Sequence, residues 1–571
     1  MATMKPTPKD ELHRAVSVLQ DNKGRWARLG VPARIDLLKR CLKCTADSAD
    51  GMVAAANVAK GIAADDPVAA ENWLGGPMTT LRNLRLLALV LDEIRKHGRP
   101  RLEAKQLSLR PDGQVVANVF PRESLDPMMF PKLSAEVWME PGVARDEVIG
   151  GMAWAYQQGD VADTGKVALV LGAGNVASIG PMDVLYKLFV ENQVCVLKMN
   201  PVNDYTGPFV EKGFQPLIDE GYLRVVYGDS AEGDFLVHHP GVDEIHMTGS
   251  DRVHDIIVWG PPGPEQEAAK ATGKPRVNKR FTSELGCVTP VILVPGEWSD
   301  GELQFQAENV ATMLANNASH NCNAAKVLVT HAAWPQREAF LARLKKVLAG
   351  VKPRQAYYPG SEARYQKYVA AHPEAERIGD GAGARLPWTL VAGVDPSKRD
   401  DPAFTTEAWC AVLAETGLPA SDVVDFLAKA TVFANDTLWG TLSCSIVASP
   451  KTLGEAGVNA AFERAVSELR FGTVAINQWA ALAYGLVWTT WGAFPGHTLD
   501  DVRSGIGVVH NALMFHRPQK TVIRGPFTMA PKPPWFVTHK GGAELGKKLA
   551  SYEAKPSLAK LPGIAIAAMK G

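Results

Sequence analysis

The chain has 571 residues, with 61 Lys and Arg against 61 Asp and Glu; 46% apolar and 21% charged residues exclude wholesale disorder. A balanced charge argues against a nucleic-acid partner, no apolar run approaches the ~20 residues of a membrane span, and the charged start MATMKPTPKDELHRAV does not read as a signal peptide. Seven cysteines are sparse and odd in number, which argues against a disulfide framework and points to a reducing, cytoplasmic setting.

Residues 10–97 read as helical. LHRAVSVLQ, ARIDLLKRCLKC and LRNLRLLALVLDEIRKHG carry apolar residues three and four apart, and Gly98 and Pro100 stop the last. QVVANVFP (114–121) and AEVWMEPGV (135–143) read as strands, and DEVIGGMAWAYQQ (146–158) as a helix. From residue 166 buried strands and helices alternate: KVALVLGAGN, MDVLYKLFVENQ, VCVLKMN, YTGPFVEKGFQPLIDEG, LRVVYG and DEIHMTGS. That alternation predicts a parallel sheet covered on both faces, with ligands beyond the carboxyl ends of its strands. LGAGN, KMN, YGDS and TGS lie at those ends, so this edge is the candidate cofactor site and includes Gly228. Residues 260–280, rich in Pro, Gly and charge, read as an exposed insertion or linker. A second α/β layer begins near residue 285 with TPVILVP, ELQFQAENVATMLANN and AAKVLVT, and runs to about residue 510. The tail, from KTVIRGPF onward, has few periodic features beyond a short helical stretch.

Three motifs carry chemistry. Gly172-Ala173-Gly174-Asn175-Val176-Ala177 fits G-x-G-x-x-A after a strand and before a helix, but the next strand ends on Lys198 where a dinucleotide fingerprint expects an acid. Asn316-Asn317-Ala318-Ser319-His320-Asn321-Cys322 surrounds one cysteine with small polar residues, which suits a nucleophile better than a packing thiol. His320 leaves a Cys–His hydrolase open. Thr282-Ser283-Glu284-Leu285-Gly286 lies where the two layers meet, and its neighbours give Glu284 no special acidity. Cys41-Leu42-Lys43-Cys44 has no second pair, so no metal site is expected. Cys195 and Cys444 read as core; Cys287 and Cys410 fall near the site without its polar surround.

The order of these motifs resembles the aldehyde dehydrogenase superfamily over roughly residues 140–520. Asn175 precedes Lys198 by 23 residues, Asn317 precedes Cys322 by five, HHPGVDEIHMTGS resembles the stretch before the family's Thr-Gly-Ser turn, and Glu407-Ala408-Trp409 resembles its Glu-x-Phe. The resemblance implies two α/β domains with parallel-sheet cores and a small bridging sheet used in homodimers or homotetramers. Residues 1–284 would bind cofactor, with 101–143 contributing to the bridge; 285–510 would be catalytic; 511–571 would hold a bridging strand and a C-terminal extension. It implies that Cys322 is the nucleophile, Asn175 and the Cys322 backbone N–H the oxyanion hole, and Glu284 the base that activates water. Lys198, Gly228, Thr248, Gly249, Ser250, Glu407 and Trp409 would hold the NAD or NADP cofactor, and the Gly172 and Gly174 turn would let the backbone approach it.

Departures refine this. Ala173-Gly174-Asn175 stands where the family usually has Pro-Trp-Asn, and Pro201 stands where NAD-preferring members often have glutamate, so NADP stays open. The Ser250 to Glu284 interval is longer than usual. Some of these features resemble the fatty acyl-CoA reductases, in which CoA resolves the thioester, while a retained Glu284 favours water. The expected reaction is NAD(P)-dependent oxidation of an aldehyde to a carboxylate; the alternatives are a CoA-linked acylating enzyme and a catalytically silent relative. Trp479, Tyr484, Trp488, Trp491 and Phe494 fall where the family lines its substrate tunnel, which suits a bulky apolar or aromatic aldehyde, with core packing as the other reading.

Overall fold

The computed structural model describes residues 4–157 and 165–571. Three long helices open the chain: Lys9–Ala27, Val31–Ala59 and Thr79–His97. Each turns an apolar stripe inward, and Gly98, at φ 76°, ends the third in the left-handed conformation that favours glycine. The helix expected over 146–158 stops at Gly151, where the backbone turns extended at Met152 and then left-handed at Ala153. Its last predicted residue, 158, lies outside the described residues.

Two sheets organise the rest. The first has six strands, in spatial order Gly505–Ile506, Arg280–Leu285, Glu244–Gly249, Val167–Leu171, Val194–Lys198 and Leu223–Val226. All pair in parallel except Gly505–Ile506, which lies antiparallel beside Ser283 and Glu284. The strand order reverses between Val167–Leu171 and Glu244–Gly249, and such a switch point opens a crevice at the carboxyl edge. The second sheet has eleven strands around a parallel run that includes Thr473–Ile476, Ser443–Val447, Pro290–Leu293, Val327–His331 and Val412–Leu418. Val115–Phe120 and Ser134–Met139 form the expected antiparallel pair, and Pro518–Arg524 joins Ser134–Met139 to Thr473–Ile476. The bridging strands therefore continue the larger sheet. The fold is α/β, with parallel-sheet cores and appended antiparallel strands.

Two expectations change. The 260–280 stretch holds a helix, Pro264–Ala271, begun by a proline at its first position and tied to the preceding helix by Lys270 and Asp255 at 2.5 Å. The tail is also more ordered than its sequence suggests, with helices Gly542–Ala554 and Leu561–Ala568. No helix among the described residues is long and apolar enough to cross a membrane.

Candidate active site

Strand pairing lays the candidate residues side by side along the carboxyl edge of the six-stranded sheet. Lys198 lies opposite Val226, just before Gly228; Thr248 lies opposite Glu284; Gly249 lies opposite Leu285. Asn175 sits in the turn after Val167–Leu171. The glycines of that turn also answer to packing inside the chain. A Cβ on Gly174 would stand 2.6 Å from Asn200 Oδ1 and 2.8 Å from Val202 Cβ, and one on Gly172 would stand 3.4 Å from the Lys198 carbonyl. Asn200 and Asn203 donate to the carbonyls of Gly172 and Ala173, fixing the turn from the neighbouring loop.

Cys322 follows a strained turn. Asn317, Ala318 and Ser319 take φ of 53°, 54° and 65°, a left-handed run without glycine that costs on the order of 1 kcal/mol per residue. Buried groups hold it. Glu71 accepts from Asn317 N–H at 3.0 Å, Lys60 Nζ donates to Asn317 Oδ1 at 2.9 Å, and Lys326 Nζ donates to the carbonyl and hydroxyl of Ser319 at 3.0 Å each. The Asn175 carbonyl accepts from Lys60, Asn317 Nδ2 and Tyr357 OH at 3.3, 3.0 and 3.2 Å, while Asn175 Nδ2 donates to the His320 carbonyl at 3.0 Å. One hydrogen of that amide is thus fixed, leaving the other for an acceptor beside Cys322. Lys60 and Tyr357 lie far in sequence from the site's motifs, and Lys326, four residues past Cys322, is hidden in the run that leads into a buried strand.

The Cys322 thiol and the Glu284 carboxyl lie close enough to shift each other's acidity. Burial, reinforced by Glu284, holds the thiol well above its ordinary pKa, so the resting group is the neutral thiol. Burial also pushes Glu284 up to about 7, with Asp183 adding to the rise and the donors Cys322 and Trp491 opposing it. The Trp491 indole donates to Glu284 Oε1 at 3.2 Å. This corrects the reading of Glu284 as ordinary: distant segments bury it. A carboxylate near neutrality against a thiol is a base placed to take the thiol proton. His320 does not compete. Its Nε2 meets Ser361 Oγ at 3.0 Å, its ring stacks on Tyr358, and burial drives its pKa down to about 3. That removes the Cys–His hydrolase pairing.

The remaining candidates divide. Lys198 is buried, its ammonium makes no hydrogen bond among the described residues, and burial lowers its pKa despite Asp229 and Glu232 nearby. Such an ammonium fits a ribose hydroxyl or a phosphate. Gly249 is exposed, and Ser250 caps the helix Asp251–Trp259 by accepting from Val253 N–H at 3.3 Å; this helix start fits an anion. Gly228, at φ 135°, lies against the Glu232 carboxylate, and the next residue, Asp229, caps the helix Ser230–His238. Thr248 donates to Asp183 at 2.9 Å. The carboxylate of Glu407 reaches Cys287 N–H at 3.3 Å and covers Gly286; burial raises its pKa to about 8. Trp409, at φ 45°, turns its ring toward Tyr358 and His320. It belongs to the aromatic group behind the cysteine turn.

Cys322, Asn175 and Lys60 border a cavity of about 180 Å³ with mostly apolar walls. The aromatic run separates here. Trp479 and Tyr484 line the cavity. Trp488 is core, stacked under Arg122, and Trp491 serves Glu284. Phe494 faces the buried ammonium of Lys520. Among the other cysteines, Cys41, Cys195, Cys287, Cys410 and Cys444 are buried, and Cys44 is half-buried.

Residues 183–362 match the aldehyde dehydrogenase family. A curated relative, aldehyde dehydrogenase LUC3 of Fusarium sp, is 26% identical over 177 residues, which span 30% of this chain and 35% of that protein. Solved structures match far more of the chain. The aldehyde dehydrogenase KauB from Pseudomonas aeruginosa is 16% identical with a TM-score of 0.60, covering 92% of this chain and 90% of its own. NADP-dependent glyceraldehyde-3-phosphate dehydrogenase from Bacillus halodurans, complexed with NADP, is 17% identical with a TM-score of 0.59, covering 91% and 92%. Gamma-glutamyl-gamma-aminobutyraldehyde dehydrogenase from Burkholderia cenocepacia is 18% identical with a TM-score of 0.60, covering 91% and 90%.

Proposed function

We propose that this chain is an aldehyde dehydrogenase that oxidises an aldehyde to a carboxylate with NAD or NADP, a reading supported by the family match over residues 183–362 and by the fold it shares with solved aldehyde dehydrogenases. The observation that supports the reading is the Cys322 thiol at the border of an apolar cavity, in electrostatic contact with a buried, near-neutral Glu284. Glu284 takes the thiol proton as sulfur attacks the aldehyde carbon. The carbonyl oxygen becomes an oxyanion, which the free hydrogen of Asn175 Nδ2 and the Cys322 N–H stabilise. The nicotinamide cofactor, when bound, supplies the hydride acceptor. Lys198 and the Gly249-Ser250 helix start would hold its anionic portion, with Gly228 beside them, while Thr248, Glu407 and Trp409 frame the inner end. With the thioester formed on Cys322 and the thiol proton passed from Glu284 to solvent, the carboxylate serves again and draws a proton from attacking water. Water is favoured over CoA as the acyl acceptor because Glu284 already stands beside the sulfur. Apolar walls with Trp479 and Tyr484 favour a bulky apolar or aromatic aldehyde. The bridging strands suit assembly into homodimers or homotetramers.

The test follows reduced cofactor with an aldehyde panel, with NAD and with NADP, with and without CoA. Oxidation is expected without CoA, and Cys322→Ala is expected to abolish it while cofactor still binds. Undiminished turnover by that variant would overturn the assignment; strict dependence on CoA would overturn the hydrolytic step.

A further inference from the structure

One wall of the cavity comes from neither sheet. Pro534, Trp535, Leu549 and Glu553 border the same space as Cys322, and all follow the last sheet strand, Pro518–Arg524. The loop that carries Trp535 is pinned to the helix Asp300–Ala315, which leads into the cysteine turn. Val537 N–H donates to Thr312 Oγ1 at 3.1 Å, Thr538 donates to Glu308 at 2.6 Å, and Lys532 pairs with Glu308 at 2.9 Å.

The helix Gly542–Ala554 is pinned on the opposite side. A Cβ on Gly546 would stand 2.8 Å from Trp73 Cβ, so glycine is what lets this helix approach. Glu553, 5% exposed, pairs with Arg82 and Arg85 at 2.7 Å each, and Arg85 also holds Glu123 at 2.6 Å. Two arginines against two glutamates leave this corner neutral. The wall is therefore fixed from both flanks, and Trp535 is its largest apolar face.

We infer that Trp535 is a size-selecting residue, setting with Leu549 the largest acyl group that reaches Cys322. This rests on the aldehyde-oxidising reading. The loop anchors fix the Trp535 backbone beside the cavity, so the indole stands in the path of a bulky acyl group. Discrimination by a hydrophobic wall is worth ~10–200-fold per methylene.

The test compares Trp535→Ala, the milder Trp535→Phe, and Leu549→Ala with wild type on straight-chain aldehydes from propanal to dodecanal, and on aryl aldehydes. The ratio of kcat/KM for the bulkiest aldehyde to that for propanal is expected to rise on the order of tenfold in Trp535→Ala, and less in the other two. A second measurement needs no turnover. The labelling rate of Cys322 by a bulky aryl maleimide, divided by that by iodoacetamide, is expected to rise in the same order. A general loosening would speed both reagents and leave this ratio unmoved. Unchanged ratios in all three folded variants would overturn the inference. If wild type oxidises no aldehyde, the aldehyde reading fails, and the labelling ratio still decides whether the wall selects by size.

Discussion

Glu284 stands near pH 7 because burial costs a carboxylate its hydration, and no cation lies close enough to restore it. Two consequences follow from that one residue. The rate is expected to rise with pH through about 7 as the base form appears, and Glu284→Gln is expected to remove that limb and slow both the formation of reduced cofactor and the release of acid. Stability moves the other way. The carboxyl is raised from 4.5 to about 7, so the native state favours the proton, and its ionisation weakens the fold as pH climbs between those values. Thermal melts of Glu284→Gln should match wild type below pH 4.5 and exceed it above pH 7, by roughly 3 kcal/mol. A wild-type pH optimum unaltered in Glu284→Gln would remove it as the base. Lys60 acts at the same scale by positioning Asn175 and Asn317. Burial lowers its pKa to about 8, and it donates to Asn72, Asn175 and Asn317. Lys60→Met leaves Asn72 Oδ1 without that donor and frees Asn175 to shift. It is expected to cost about 1–3 kcal/mol of stability, and to lower kcat on the order of tenfold with little change in KM. Loss confined to KM would place Lys60 in binding instead. The sequence made Asn175, Glu284 and Cys322 visible through their order and turns. It hid Lys60 and the acidity of Glu284, because both depend on segments that only the fold brings in.

At the scale of elements, the buried strands were plain from their apolar runs, and their carboxyl ends were plain from the glycines that follow. The left-handed run over Asn317–Ser319 was not. Ala318 and Ser319 carry no preference for that conformation, and only the grip of Lys60, Glu71 and Lys326 imposes it. The insertion at 260–280 hid its helix in the same way, since Pro and Gly mark both a linker and the first turn of a helix. Between helix and sheet, Glu191 joins Lys187 at 2.5 Å to Arg280 at 2.8 Å, and Arg280 continues to Glu244 at 2.7 Å. Burial alone would raise the Glu191 carboxyl, yet Lys187 and Arg280 outweigh it and pull the pKa from 4.5 to about 2. A depressed carboxylate stabilises the fold above pH 4.5 and loses that contribution as pH falls toward 2. Glu191→Gln should therefore melt lower than wild type at pH 7, with the difference shrinking below pH 4.5. A constant difference across that window would show that the ion pairs are not its source.

For the whole molecule, the two sheets and their bridging strands were legible, but the tail was not. Leu561–Ala568 is apolar nearly all round, so no periodic stripe announces it, and Gly542–Ala554 reveals its purpose only where Glu553 meets Arg82. The strand bearing Glu284 is covered on its outer flank by Gly505–Ile506, which lie far downstream of it in the chain. Gly505, at φ 121°, lies so close that a Cβ would strike the Ser283 carbonyl, so this distant partner seats without slack. Until it seats, Glu284 lies on an open sheet edge in water, where a carboxyl keeps its ordinary acidity and makes a poor base at neutral pH. The raised pKa of Glu284 thus belongs to the assembled sheet and not to the strand that carries it.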